Sequence, residues 1–181
     1  LAVRASAPSA RRRSAGSREK YSGGIQSAAA KFGINSPLRQ AHWLAQIAHE
    51  SGRFRYTKEL WGPTPAQKRY EPPSSLATDL GNTEAGDGRK FMGRGFIQVT
   101  GRSNYRQASI DLFGSQVLLT KPELLEADPA LSAGWYWNKR KINRAADADD
   151  VMAVTKLING GYNGLDDRKA CLAIAKRELG L

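Results

Sequence analysis

Apolar residues recur at three- and four-residue spacing along most of this chain, and the breaks between those runs mark out its elements. The first clear run, over 24–32, predicts a helix that Gly33 can end. The second opens at Ser36, a good N-cap, with Pro37 at the first helical position, where its missing N–H costs nothing. Leu38, Ala41, Leu44 or Ala45, and Ala48 repeat at helical spacing with Ile47 beside them, as far as Glu50; Ser51-Gly52 then breaks the pattern. Residues 51–90 read as irregular, punctuated by Gly62-Pro63-Thr64-Pro65, by Pro72-Pro73 and by the glycines from 81 to 88. Within them Pro65 would open a short helix over 65–70. So long a loop region is uncommon in a compact domain unless it shapes a functional site. The one extended candidate covers 91–100, where Phe96-Ile97-Gln98-Val99-Thr100 follows Gly93 and Gly95. Helical patterns return over 103–113, 128–141, 149–158 and 165–179. The chain is predicted to be mainly α, with a small β hairpin near its middle and no internal repeat.

Composition narrows this picture. A length of 181 residues, 40% of them hydrophobic and 25% charged, suits one globular domain with a core of its own. No apolar run approaches the roughly 20 residues of a membrane span. The net charge of +11 implies attraction to a polyanion. Part of it lies in Arg4, Arg11, Arg12, Arg13, Arg18 and Lys20, so residues 1–20 read as a basic N-terminal segment, a frayed tail or a short helix, ahead of a single domain over 21–181. That segment lacks the apolar centre of a signal peptide. The remaining charge is dispersed, which suits loose adsorption to an anionic envelope better than a specific nucleic-acid groove. Cys171, the single cysteine, cannot form an internal disulfide and lies in a helical pattern as a core residue.

Candidate chemistry begins with carboxylates. The helix ending at Glu50 delivers that residue to a negatively polarised helix terminus. In a poorly solvated site its pKa would rise, as a general acid requires. Glu59 follows nine residues later. On one straight helix that offset turns the chain by about 900° and about 13 Å along the axis, so the two converge only if the chain bends at Ser51-Gly52. His49-Glu50 suggests a zinc motif, but the second histidine would have to stand at position 53, which is Arg53, and His42 is seven residues away from His49. No metal or cofactor is expected. Two carboxylates beside a polar, aromatic cleft is the set that glycoside hydrolysis needs. Tyr56, Trp61, Tyr70 and Tyr105 offer flat faces, and Gln98, Thr100, Asn104, Asn159 and Asn163 offer neutral hydrogen-bonding groups, although each of these residue types equally fills cores and turns.

Four ordered segments carry a resemblance: Ala48-His49-Glu50-Ser51-Gly52, the run from Gly81 to Phe91, the run from Gly93 to Tyr105, and Leu157-Ile158-Asn159-Gly160-Gly161. Together they resemble glycoside hydrolase family 19, and more narrowly its branch of phage endolysins that degrade peptidoglycan. The likeness runs from about Gly24 to the end. It implies a lysozyme-like, two-lobed helical domain in which Glu50 is the general acid and Glu59 the base. It implies that Gln98 binds sugar, that Thr100 helps hold the attacking water, and that Asn104, Tyr105, Asn159 and Tyr70 line the cleft. Arg168 is expected to face the catalytic network from the last helix. The implied reaction is inverting hydrolysis of β-1,4 bonds in peptidoglycan glycan strands by a monomer; a chitinase on N-acetylglucosamine polymers and a lytic transglycosylase are the alternatives. Such a chain is expected to accumulate in the host cytoplasm, to need a holin-type partner, and to act on the cell wall. Gly52-Arg53 departs from the family pattern, where a Gly-Gly pair is common.

Overall fold

Helices supply nearly every regular element of the computed structural model, which describes residues 10–181, with side chains from Lys20 onward. In chain order they are α1 (Ala10–Lys31), α2 (Pro37–Glu50), α3 (Pro65–Lys68), α4 (Ser75–Leu80), α5 (Asp87–Lys90) and α6 (Arg102–Phe113). A 3-10 turn (Val117–Leu119) leads to α7 (Leu124–Ala127), α8 (Pro129–Lys139), α9 (Asn143–Asp147), α10 (Val151–Asn159) and α11 (Leu165–Glu178). Of the basic segment 1–20, residues 1–9 lie outside the described residues. The rest is helical from Ala10 and continuous with α1, which therefore starts well before the expected position 24. Gly23 and Gly24 lie inside the helix, where a glycine costs only about 1 kcal/mol. Packing of α1 against α8 overrides it.

The long helices otherwise fall where the periodicity places them. Ser36 Oγ accepts the Arg39 N–H at 3.2 Å, and Pro37 occupies the first turn of α2. Asp128 caps α8 through Leu131, and Asp150 caps α10 through Ala153. The irregular stretch 51–90 holds three short helices rather than one, and α4 and α5 carry no apolar periodicity long enough to read. The expected hairpin shrinks to two isolated antiparallel bridges, Lys58 with Arg94 and Arg94 with Val99. Burial explains that: Gly93 to Ile97 are enclosed by helices, and Phe96 N–H bonds to the Pro129 carbonyl instead of a ladder partner.

Two apolar clusters make up most of the core. One gathers Trp43, Ile47, Phe54, Phe96, Trp137 and Ile142. The other gathers Phe91, Val99, Tyr105, Leu118, Leu125 and Trp135. Phe32 and Tyr136 pack against both and mark the seam between them. A third, smaller cluster of Ala41, Ala45, Cys171 and Leu172 fastens α2 to α11.

Candidate active site

The last residue of α2 is Glu50, as its pattern predicts, but its surroundings are not apolar. The Arg168 guanidinium of α11 bonds to Glu50 Oε1 and to Gln46 Oε1, and its Nε donates to the Asn163 carbonyl at 3.2 Å. Arg168 is 2% exposed, so its charge is held in place by three acceptors rather than by water. His42, Gln46 and Glu50 lie four residues apart and form a polar stripe on an otherwise buried helix. His42 Nε2 lies 2.8 Å from Asp149 Oδ1. Burial pushes the His42 pKa down against the pull of Asp149. Its buried Nδ1 has no partner, which suits a neutral ring carrying its proton on Nε2.

After α2 the chain reverses through three consecutive left-handed residues, Gly52 (φ +59°), Arg53 (φ +65°) and Phe54 (φ +63°). Such backbone costs a non-glycine residue about 1–2 kcal/mol, so something must hold it. Ser51 Oγ donates to the Ile47 carbonyl and accepts the Phe54 N–H at 2.8 Å. Phe54 is buried edge-on against Phe96, with ring centroids 5.4 Å apart. Arg53 makes a two-bond contact to Asp167 at 2.6 and 3.0 Å, and His49 Nδ1 meets the same carboxylate at 2.5 Å. Arg53, with His49 adding to it, holds the Asp167 carboxyl well below the usual carboxylate range. The chain thus bends directly after Ser51, where convergence of Glu50 and Glu59 would require it. The two histidines are thereby bound to different aspartates, His42 to Asp149 between α9 and α10 and His49 to Asp167 in α11.

Beyond the bend, residues 57–59 pair with 93–95: Gly95 N–H bonds to the Thr57 carbonyl and Glu59 N–H to the Gly93 carbonyl, both at 2.8 Å. The Glu59 side chain folds onto the same segment. Its Oε2 accepts the Gly93 N–H at 3.1 Å, while Oε1 accepts from Gln67 Nε2 at 2.9 Å and from the Tyr70 hydroxyl at 3.4 Å. Partial burial and the Glu59 charge push the Tyr70 phenol up. Gly93 has a steric reason to be glycine: a Cβ there would stand 2.4 Å from Gln98 Oε1. One peptide thus holds Glu59 from its N–H and supports Gln98 on its open face.

Gln98, Thr100 and Asn104 line a cavity of about 260 Å³ with Trp135, Tyr136, Lys139 and Arg140. Burial raises the Tyr136 phenol, Arg140 opposes this and the Glu50 charge adds to it. Trp61 packs on Tyr70 at 6.2 Å between ring centroids, next to Glu59. Two expected cleft residues are placed otherwise. Tyr105 is fully buried, its hydroxyl accepting from Arg94 at 2.9 Å and donating to the Met92 carbonyl at 2.7 Å, so no ring face meets a ligand. Asn159 is exposed but engaged in its own loop, donating to the Asn163 carbonyl at 3.0 Å and accepting the Gly161 N–H at 2.8 Å. It shapes the 159–164 turn whose carbonyl also receives Arg168. Asn104 donates to the Thr100 carbonyl at 2.8 Å.

Several residues of this network carry no signal in the apolar pattern: Gln46, Gln67, Tyr136 and Asp167. Gln46 is the legible one in retrospect, a polar residue four before Glu50 on a face of buried positions.

Comparison with known proteins identifies the family. A family profile described as class I chitinase, of glycoside hydrolase family 19, matches residues 34–163. The chain is similar to a glycosyl hydrolase family 19 domain-containing protein of Haemophilus influenzae, 35% identical, with 76% of this chain and 78% of that protein covered. It is 33% identical to an endochitinase of Arabidopsis thaliana over 80% of this chain, and there it spans about half of the relative, 47%. In fold it resembles chitinase C from Streptomyces griseus, with a TM-score of 0.65 at 23% identity over 92% of this chain and 76% of that one. A second bacterial family 19 chitinase gives the same TM-score at 22% identity, covering 93% and 94% of the two chains. The chain belongs to glycoside hydrolase family 19.

Proposed function

We propose that this glycosidase hydrolyses β-1,4 bonds in the amino-sugar backbone of peptidoglycan by a single displacement with inversion. The observation that carries the reading is a pair of carboxylates held in different ways, Glu50 by the Arg168 guanidinium and Glu59 by neutral donors. Glu50 binds Arg168 through Oε1, which leaves Oε2 to carry a proton towards the glycosidic oxygen. The Glu59 carboxylate acts only as an acceptor in its hydrogen bonds, as a base must. In the proposed step Glu50 protonates the leaving oxygen as the C1–O bond breaks. Water attacks C1 from the opposite face and gives its proton to Glu59. Thr100 helps hold that water, and Gln98 positions the sugar. After release of product, Glu59 returns its proton to solvent and Glu50 is reprotonated. The excess positive charge of the chain supports an anionic polymer as substrate.

Chitin is the second reading, favoured by the plant relatives named as endochitinases. Digestion of purified peptidoglycan and of N-acetylglucosamine oligomers, with mass spectrometry of the products, tests both. Free reducing ends from peptidoglycan support the proposal. Products from the neutral oligomers alone favour chitin, and anhydro-sugar ends would replace hydrolysis by a transglycosylase reaction.

A further inference from the structure

We propose that Lys139 and Arg140 form a cationic shelf at the cavity edge that receives a carboxylate carried by the glycan. This inference rests on the peptidoglycan reading above and names the group by which an acidic chain would be told from a neutral one. The two residues close α8 as its last residue and its C-cap. Each lies over the ring four residues before it: Lys139 Nζ is 4.8 Å from the Trp135 centroid, and Arg140 Cζ is 5.3 Å from that of Tyr136. Both rings are themselves fixed. Trp135 Nε1–H donates to Asp111 at 2.8 Å, and the Tyr136 hydroxyl donates to the Ile158 carbonyl at 2.9 Å. The platforms therefore set where the two cations point, which is along the cavity that Gln98 and Asn104 also line.

The charge there is only partly compensated, by Asp111 behind the Trp135 ring, whose carboxyl the Trp135 N–H and, in smaller part, Lys139 hold below the usual range. The cavity lining contains two cations and no carboxylate. Neither Lys139 nor Arg140 takes part in the ion pairs of the described residues. Cations at a helix C-terminus do offset its partial negative charge. Side chains pointing into bulk water would serve that purpose equally, yet these two are held beside the neutral hydrogen-bonding groups of a sugar site. An uncharged polymer has nothing to offer such a shelf. A peptidoglycan strand has two sources of carboxylate, the lactyl ether on every second sugar and the peptide attached to it, and a guanidinium beside an ammonium suits either.

The test compares the wild type with the Lys139→Gln, Arg140→Gln double variant on three substrates: intact peptidoglycan, glycan strands stripped of peptide by an amidase, and neutral N-acetylglucosamine oligomers. Both side chains are exposed, and equal melting temperatures verify the fold. The proposal expects the ratio of kcat/KM on acidic over neutral glycan to fall about tenfold, mainly through KM. A fall confined to intact peptidoglycan assigns the carboxylate to the peptide, and a fall on stripped strands assigns it to the lactyl group. An unchanged ratio, or parallel loss on all three, overturns the shelf. Calorimetric binding of an N-acetylmuramic acid disaccharide against an N-acetylglucosamine dimer decides without turnover: a wild-type preference for the acid, lost in the double variant, supports the shelf, and no preference overturns it. If none of the substrates is cleaved while that preference stands, the hydrolytic reading fails and the shelf does not.

Discussion

Gly93 shows how much of this site depends on single atoms. Its N–H holds Glu59, and the absence of a Cβ lets the Gln98 amide lie against it. Gly93→Ala is expected to swing Gln98 away and to lower kcat/KM by about tenfold, because displacement of a positioning group by an ångström costs one to two orders of magnitude. The closest atoms belong to the end of the Gln98 side chain, which can turn away, but Gln98 Cβ at 3.1 Å must also give way, so a small loss of thermal stability is expected as well. A variant with full activity would show that Gln98 does not position substrate. Gln46 makes a complementary case. It is buried against Arg168, and Gln46→Leu would leave a guanidinium hydrogen bond unmade in the interior. That loss costs about 1–3 kcal/mol. A melting curve reads it directly, and an unchanged midpoint would contradict the contact.

At the scale of elements, the decisive feature is the left-handed turn joining α2 to the segment that bears Glu59. Arg53 occupies it at a conformational cost of about 1–2 kcal/mol. Its ion pair with Asp167 is half exposed, at 46% and 44%, and such pairs return about 0–1 kcal/mol. Arg53→Gly should therefore leave stability unchanged or improve it by up to about 1 kcal/mol, whereas Arg53→Ala keeps the strain, loses the pair and should be the less stable of the two. Equal midpoints for the two variants would contradict the assigned strain. This turn also shows where sequence reasoning stops. The helix over 36–50 was legible because capping, proline placement and apolar spacing agreed. The bend after it was not, because a left-handed arginine is sustained by Asp167, more than a hundred residues away. The short helices of 51–90 were illegible for a related reason: their ends are fixed by distant carboxylates such as Glu71, which accepts the Gly86 N–H at 2.9 Å. Glu50, Gln98 and Arg168 stood out through motif order. Tyr105 was misplaced because the same motif that puts Gln98 at a cavity puts the following tyrosine under it.

For the whole molecule, buried and paired ionisable groups fix the response to acid. His42 has its pKa lowered by burial, so the unfolded chain binds this proton more readily and stability declines as pH falls below about 6.5. Asp167, paired with Arg53 and His49, and Asp149, paired with Lys176 and His42, sit below the usual range. Their stabilisation is present above about pH 4 and is lost as pH falls further. Melting temperature should thus be level between about pH 7 and 8 and fall in two stages on acidification; a level profile down to pH 4 would contradict the burial of His42. If peptidoglycan is the substrate as proposed, the net charge of +11 predicts that activity on it weakens with added salt while activity on a neutral oligomer does not. The two clusters of the core meet at Tyr136, which also lines the cavity of Gln98 and Thr100, so the proposed catalysis depends on both. Its most direct test is the release of reducing ends from peptidoglycan by Glu50→Gln at an unchanged melting temperature. Loss of the general acid predicts a fall of about 10²–10⁴-fold, and activity within a few-fold of the wild type would contradict the assignment of Glu50.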